Sequence, residues 1–300
     1  PCLNLVQPTS VIMVNKWIQG ARPRTLPAAV VPVVVGLAVA IGVEGAQWLR
    51  AGLALVVSLL LQVGVNYAND YSDGVRGTDE VRVGPQRLVG SGLATPRSVK
   101  LAAFLCFGLA AVVGLGLALM TSLWVIPVGL AAVLAGWFYT GGKNPYGYIG
   151  LGEVFVFVFF GLVATVGTTY VILEKIPAMA WLQGIATGCL ACALLVINNL
   201  RDIPTDRLVG KRTLAVRLGD QRTRVLFITL ILLGIGCGTA AAVSQPWSLI
   251  VLLCLFPAVR PLKLVRGGAS GRELIAVLGS TGQLQIVFGA LTLVSFLLSN

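Results

Sequence analysis

The 300-residue sequence contains no histidine and few charged residues. Without histidine, the chain has no imidazole for acid–base catalysis and no histidine ligand for a metal ion. Asp, Glu, Lys and Arg make up 11% of the residues, whereas soluble domains carry about 25%. The hydrophobic share is 57%, so the composition excludes a soluble domain and predicts an integral membrane protein.

Apolar segments of membrane-spanning length recur along the whole chain. Segments such as 101–119 do not alternate apolar and polar residues, as strands of a membrane β-barrel would. The sequence therefore predicts an all-α, polytopic membrane protein with one domain over residues 1–300, of which 1–15 form a short N-terminal tail. Nine transmembrane helices are predicted, at 24–43, 51–69, 99–119, 122–140, 149–172, 179–200, 224–243, 246–264 and 280–299.

The N-terminal segment shows no basic region followed by an apolar stretch, so no cleavable signal peptide is predicted. Residue 1 is proline, and Met13 is a candidate start, with residues 1–12 as a short or non-native tail. The pair Cys189-x-x-Cys192 has no second pair and no histidine near it. We therefore expect two small residues in a membrane helix there, rather than a zinc or redox site.

Lys and Arg are distributed very unevenly over the predicted topology. If the N-terminus is cytoplasmic, 20 of the 22 basic residues lie on the cytoplasmic side, and only Arg50 and Lys175 lie outside. Because cytoplasmic loops are rich in Lys and Arg, the sequence predicts a cytoplasmic N-terminus and an external C-terminus in the cell inner membrane. The loops 70–98 and 201–223 then face the cytoplasm. The charge lies in short loops, so no nucleic-acid binding is predicted.

Acidic residues concentrate in two segments that each follow an apolar span, and we expect both to be acid-rich loops at helix ends. Asn69 and Asp73 are four residues apart, and Asp202 and Asp206 repeat that spacing around Pro204. Oxygen donors one helical turn apart suit a hard cation such as Mg²⁺, although Pro204 is expected to interrupt the helix or bend it. The alternative is a solvated loop at each place. Six of the 11 acidic residues lie here: Asp70, Asp73, Asp79, Glu80, Asp202 and Asp206.

Basic residues are interleaved with the second acidic segment, at Arg201, Arg207, Lys211 and Arg212. Carboxylates alone would bind a metal ion, whereas carboxylates beside guanidinium and ammonium groups suit a metal–diphosphate complex. Topology explains some of these positive charges equally well. The segments therefore predict a metal and diphosphate site on one membrane face.

Two further segments on the same face contain candidate ligand-binding residues. Residues 139–148 include Tyr139, Lys143 and Tyr146, and Glu153 begins the next apolar span, where a carboxylate is costly unless it is partnered or faces a cavity. Near the N-terminus, Arg22 and Arg24 either bind an anionic substrate or mark the entry of the first helix.

Six blocks resemble the UbiA-type membrane prenyltransferases, and within them the branch that prenylates 1,4-dihydroxy-2-naphthoate in menaquinone synthesis. One feature departs from the family, because a third acid expected at position 77 is Gly77, and Asp79 comes two residues later. The blocks are RPRTLP (22–27), ANDYSD (68–73), YTGG (139–142), GEVFVF (152–157), NNLRD (198–202) and GKRTLAVRLG (210–219).

The resemblance implies a nine-helix bundle in the lipid bilayer with Mg²⁺ as cofactor and polyprenyl diphosphate and 1,4-dihydroxy-2-naphthoate as substrates. The prenyl group would be transferred with loss of CO₂ and diphosphate, forming demethylmenaquinone. The implied metal ligands are Asn69, Asp70, Asp73, Asp79, Asp202 and Asp206. The implied diphosphate ligands are Lys143, Arg201, Lys211 and Arg212, with Asp73, Asp202 and Lys143 as catalytic residues. The implied acceptor-binding residues are Arg22, Tyr139, Tyr146, Glu153 and Asn198.

Two alternatives remain at this point. One keeps the family and changes the acceptor to 4-hydroxybenzoate, haem, a chlorin or a glycerol phosphate. The other is a cation-coupled transporter. Transporter sites lie near the middle of the bilayer on broken helices. Here the acids lie at helix ends on one face, which favours the enzyme.

Overall fold

The structure is a computed structural model that describes residues 15–43, 45–78 and 86–299. Every regular element in these ranges is helical, which confirms the all-α prediction. Asp79 lies outside the described residues, as does most of the tail 1–15. The α-helices are α1 (Lys16–Ala21), α2 (Pro27–Ile41), α3 (Trp48–Val75), α4 (Pro96–Met120), α5 (Val125–Phe138), α6 (Gly152–Val156), α7 (Ala164–Leu173), α8 (Ala178–Leu208), α9 (Leu214–Leu218), α10 (Asp220–Ala240), α11 (Leu255–Arg266) and α12 (Glu273–Leu297).

Shorter helical turns join several of these elements. A π-helical segment, Phe157–Val163, connects α6 to α7 without a break, so that Gly152–Leu173 forms one long segment. The 3₁₀ turns are Pro23–Thr25, Tyr146–Ile149, Ala241–Val243 and Pro246–Cys254.

Within the described ranges, seven helical segments are long and apolar enough to cross a membrane, and an eighth is added if the bent pair Lys16–Thr25 and Pro27–Ile41, with an angle of 52°, counts as one span. The protein is therefore an integral membrane protein. The predicted span 122–140 coincides with α5, whose 14 residues rise only about 21 Å, less than the roughly 30 Å of a bilayer core. A count of nine crossings and the orientation stay predictions.

The two acidic segments are helical, so the prediction of acid-rich loops was wrong. Helix α3 continues to Val75 and α8 to Leu208, which makes 69–73 and 202–206 the last turns of these helices. With 28 and 31 residues, the helices rise about 42 and 46 Å, longer than the bilayer core. When the apolar part of each helix is centred in the lipid, its polar final turns therefore lie at the edge of the bilayer.

Pro204 lies inside α8 and does not end it, so the expected interruption is wrong, whereas the alternative of a bend stays a prediction. A proline removes one backbone hydrogen bond to the residue four positions earlier. Pro204 is four residues from the end of α8, and Ile203 and Asp202 before it are buried, so packing holds the last turn in place.

Helix α8 is the central element of the bundle. It packs against α2, α10, α12 and the π-helical segment, and most of its residues are buried. Two glycines permit the approach of the π-helical segment, because a Cβ on Gly161 would lie 2.4 Å from the Cα of Gly188. The π-helical segment and α6, which precedes it, are therefore held against α8.

Candidate active site

A large cavity of about 2360 Å³ lies between α2, α3, α4, α5, α7 and α8. Its lining divides into two parts. The final turns of α3 and α8 contribute charged and polar side chains. The earlier turns of those helices, with α4, α5 and α7, contribute apolar ones such as Phe107, Leu115, Val128 and Val171. The cavity therefore suits a ligand with an anionic end and a long hydrocarbon part.

The α3 side of the charged part contains Asn69 and Asp73, which are buried and line the cavity. Asn69 Oδ1 accepts a hydrogen bond of 2.8 Å from Thr140 Oγ1. Asp73 Oδ1 accepts one of 2.5 Å from Tyr148 Oη and one of 3.1 Å from Lys211 Nζ. The first predicted pair thus meets residues from two distant segments.

Asp70 has a different environment from its neighbours. Its two carboxylate oxygens accept hydrogen bonds from the backbone N–H groups of Leu88 and Val89, at 2.9 and 3.0 Å. This buried carboxylate therefore anchors the segment before α4 to α3. Asp70 also lines the cavity, and its role as a metal ligand stays a prediction.

The α8 side contains Asp202 and Asp206, which also line the cavity. The guanidinium of Arg201 makes a bidentate contact with Asp202, through Nε at 2.6 Å and Nη2 at 2.7 Å. Arg201 also donates to Asn198 Oδ1 at 2.9 Å. Because the Arg201–Asp202 pair is almost fully buried, its charges act in a medium where electrostatic interactions are stronger than in water.

Lys211 is held among groups that keep it charged. Burial alone would lower the pKa of its ammonium, but the carboxylates of Asp73 and Asp206 and the hydroxyl of Tyr148 outweigh burial and raise the pKa above its ordinary value. Its Nζ lies 4.5 Å from the centroid of the Tyr148 ring. A cation is therefore fixed beside the two acidic motifs at neutral pH.

The oxygen donors fit a magnesium ion bound together with a phosphorylated ligand. Among the described residues, no group of three or more acidic or cysteine side chains is close enough to hold a metal ion by itself. Magnesium usually takes one or two carboxylates and completes its shell with water and phosphate oxygens. Asn69 and Asp73 on one wall and Asp202 and Asp206 on the other supply oxygen donors of that kind.

Lys143 and Arg212 lie apart from the carboxylates, unlike the other predicted diphosphate ligands. Both side chains are exposed and neither lines the cavity. The backbone of Arg212 is placed by hydrogen bonds, because its N–H donates to Tyr148 O at 2.8 Å. The predicted roles of Lys143 and Arg212 gain no support from these positions, whereas Arg201 and Lys211 are at the site.

Aromatic side chains form the wall next to the charged part. Tyr139 and Tyr146 line the cavity and meet edge to face with ring centroids 5.5 Å apart, and Tyr146 stacks on Phe155 at 3.9 Å. The Tyr146 hydroxyl donates to Ala135 O at 2.6 Å. This wall offers a flat apolar surface to an aromatic ligand.

Arg22 lines the cavity on the opposite side, next to α3. Its backbone is left-handed, with φ of 53°, where the chain turns between α1 and the following 3₁₀ turn. Its guanidinium donates to Asn66 O at 3.2 Å, and Asn66 Nδ2 donates to Ala21 O at 2.9 Å. These contacts fix a positive charge at the cavity wall.

Glu153 does not line the cavity, although it was expected to contact the acceptor. It is buried behind the wall, and its Oε1 accepts a hydrogen bond of 3.0 Å from Asn199 Nδ2. Asn198 and Asn199 both line the cavity. Asn199 thus lies between Glu153 and the cavity.

Several site residues were not assigned from sequence, namely Thr140, Tyr148 and Asn199. Tyr148 is 75 positions from its partner Asp73 and Thr140 is 71 from Asn69, so no local spacing indicates these contacts. Asn199 follows Asn198 in the block NNLRD, and the sequence does not indicate that both residues line the cavity.

Comparison with known proteins gives matches over most of the chain. The UbiA prenyltransferase family matches residues 29–272. A 1,4-dihydroxy-2-naphthoate octaprenyltransferase of Mycobacterium tuberculosis is 51% identical over 91% of this chain and 94% of its own length, and one of Mycobacterium leprae is 48% identical over 93% and 96%. A UbiA homolog from Archaeoglobus fulgidus, solved bound to GPP and Mg²⁺, shares the fold with a TM-score of 0.71 at 15% identity, covering 94% of this chain and 99% of that one.

Proposed function

The chain belongs to the UbiA prenyltransferase family, and on that premise we propose that it transfers a polyprenyl group from polyprenyl diphosphate to 1,4-dihydroxy-2-naphthoate in menaquinone synthesis. One observation carries this proposal: carboxylates from α3 and α8, together with the cations Arg201 and Lys211, line one part of a cavity whose remaining walls are apolar. Two relatives at 51% and 48% identity are named for that acceptor.

The charged part of the cavity binds the diphosphate. Asn69, Asp73, Asp202 and Asp206 would hold Mg²⁺, which when bound neutralises the diphosphate and makes it a better leaving group. Lys211 and Arg201 donate charge-assisted hydrogen bonds to phosphate oxygens.

The apolar part takes the prenyl chain, and the wall of Tyr139, Tyr146 and Phe155 takes the aromatic acceptor. Arg22 supplies a positive charge for the carboxylate of the acceptor. Binding both substrates in one cavity places a ring carbon beside the first prenyl carbon, so the reaction becomes unimolecular in effect.

The reaction replaces the carboxylate of the acceptor with the prenyl group. The prenyl carbon–oxygen bond breaks and its electron pair leaves with the diphosphate, while the ring carbon that carries the carboxylate bonds to the prenyl carbon. The acceptor carboxylate leaves as CO₂, and its bonding pair restores the aromatic ring. The product is the quinol form of demethylmenaquinone.

The site lies at the cytoplasmic face of the cell inner membrane in this proposal. Twenty of the 22 Lys and Arg residues support that orientation. Both the prenyl substrate and the prenylated product are too apolar for water, which accounts for a cavity inside a membrane protein.

The acceptor is tested with purified protein in detergent, Mg²⁺, a polyprenyl diphosphate and a panel of aromatic acids. Mass spectrometry should find one major product, from 1,4-dihydroxy-2-naphthoate. Equal or better turnover of 4-hydroxybenzoate would reject the acceptor, and full turnover in excess EDTA would reject the metal. Turnover in detergent without any ion gradient also separates the enzyme from a transporter.

A further inference from the structure

We propose that Glu153 is a positioning residue that acts through Asn199, fixing the Asn199 amide so that its Oδ1 accepts a hydrogen bond from a hydroxyl group of the aromatic acceptor. The inference rests on the proposed function and adds to it a contact that recognises the acceptor. It also replaces the direct acceptor contact expected of Glu153.

Glu153 is a carboxylate in a costly position. It lies in the first turn of α6, is 8% exposed and does not line the cavity. Its Oε1 accepts from Asn199 Nδ2, whereas its Oε2 is buried and has no hydrogen-bond partner among the described residues. Burying a half-satisfied carboxylate in a membrane bundle is unfavourable, which points to a functional requirement.

A carboxylate determines the orientation of an asparagine in a way that an amide does not. Its oxygens accept hydrogen bonds but do not donate them, so only the NH₂ group of Asn199 can face Glu153. A glutamine at 153 could offer either its oxygen or its NH₂ group, and both orientations of Asn199 would then be possible.

The orientation of Asn199 leaves its oxygen toward the ligand space. The amide is planar, with Nδ2 and Oδ1 on opposite branches, and the Asn199 side chain lines the cavity. Within the described ranges no residue donates a hydrogen bond to Oδ1. The cavity therefore contains an acceptor atom of fixed direction.

The position of Asn199 favours the aromatic acceptor over the diphosphate as its ligand. Glu153 lies between Gly152, where a Cβ would lie 3.3 Å from the Tyr139 ring, and Phe155, which stacks on Tyr146. Asn199 contacts this segment and precedes Asp202 by about one helical turn. Oδ1 thus lies between the aromatic wall and the metal-binding face, where the acceptor ring must approach the prenyl carbon.

A phenolic hydroxyl is the matching donor for such an atom. Accepting its hydrogen bond increases electron density on the ring and so favours attack through carbon. Diphosphate oxygens accept hydrogen bonds only, so they cannot pair with Oδ1.

The elements that carry the pair are firmly joined. Cys192 Sγ donates to the backbone oxygen of Glu153 at 3.1 Å, which gives α6 a second hydrogen bond to α8. The close approach at Gly161 and Gly188 follows in the next two turns. Such support is needed for a side chain that directs a hydrogen bond.

The experiment compares Glu153→Leu, Glu153→Gln, Asn199→Leu and the double leucine variant in steady-state kinetics. Glu153→Leu and Asn199→Leu should each raise the KM of the acceptor about tenfold, the effect of one lost hydrogen bond. The KM of the prenyl diphosphate should stay within about twofold. Glu153→Gln should be intermediate, and the double variant should be no worse than Asn199→Leu because both residues act as one unit.

Gln183→Leu is the matched control. Gln183 is a buried polar residue of α8 that donates to Gly238 O and does not line the cavity, so neither KM should change. If Glu153→Leu does not remain monodisperse in detergent, Glu153→Gln and Asn199→Ser carry the same comparison.

Three results would overturn the positioning role. The acceptor KM could stay unchanged in these variants, the KM values of both substrates could rise in parallel, or the effects of the two leucine substitutions could be additive in the double variant. Failure of the proposed function is recognised separately, because the unmodified protein would then not prenylate the naphthoate at all.

Discussion

At the scale of single residues, two of the three carboxylates proposed to bind Mg²⁺ are paired with a cation of the chain. Asp73 contacts Lys211, and Asp202 contacts Arg201. These cations stabilise buried carboxylates before any substrate arrives and lie where phosphate oxygens are expected. A buried ion pair adds little net stability, because the cost of desolvating both charges offsets their attraction.

Replacing Asp73 tests the metal-binding role. Asp73→Asn removes the charge and retains the shape, so the activity should fall roughly 100-fold or more, as when one transition-state contact is removed. Asp220→Asn is the control, since Asp220 is exposed and pairs with Arg224 on α10 away from the cavity. The role would be refuted if the two variants had equal activity.

Replacing Lys211 tests the diphosphate contact. Lys211→Met should raise the KM of the prenyl diphosphate about tenfold or more, because a charge-assisted hydrogen bond is lost, while the KM of the acceptor should change little. Lys263→Met, an exposed change on α11, should leave both unchanged. A selective rise in the acceptor KM would place Lys211 at the other substrate.

At the scale of elements, apolar length identified the helices but not where they end. The sequence predicted spans ending near 69 and 200, whereas α3 and α8 run to 75 and 208. Hydropathy identifies only the apolar part of each helix. The polar final turns are stabilised by contacts that no local sequence pattern shows, such as the hydrogen bond of Tyr148 with Asp73. Spacing of four placed Asn69 with Asp73 and Asp202 with Asp206, but it did not show that both pairs lie on continuing helices.

Packing of the π-helical segment on α8 can be tested at Gly161. Gly161→Ala would place its Cβ 2.4 Å from the backbone of Gly188, so the segment must move and the protein should lose about 1–3 kcal/mol of stability. Gly167→Ala, in α7, meets no atom within 4 Å and should be neutral or slightly stabilising. Thermal unfolding in detergent measures both, and equal melting temperatures would contradict the packing argument.

At the scale of the whole molecule, one cavity joins a charged part to an apolar part inside a helical bundle. The family and the all-α fold could be predicted from six sequence blocks and hydropathy. Which residues line the cavity and which lie behind its wall could not be predicted, because residues such as Glu153 and Asn199 meet only after α6 packs on α8.

The orientation of the bundle is a prediction about the whole chain. In a chain freed of its own cysteines, a cysteine at Lys175 should react with a membrane-impermeant reagent in intact cells, because the positive-inside rule places it outside. A cysteine at Lys263 should react only after permeabilisation. The reverse pattern would place the N-terminus outside.

The most direct test of prenyl transfer to the naphthoate uses acceptor labelled with ¹³C in its carboxyl group. Incubation with purified protein, Mg²⁺ and polyprenyl diphosphate should yield a product whose mass equals acceptor plus prenyl group minus the carboxyl, with the label recovered as ¹³CO₂. A prenylated product that retains the label, or the absence of any prenylated naphthoate, would contradict the account.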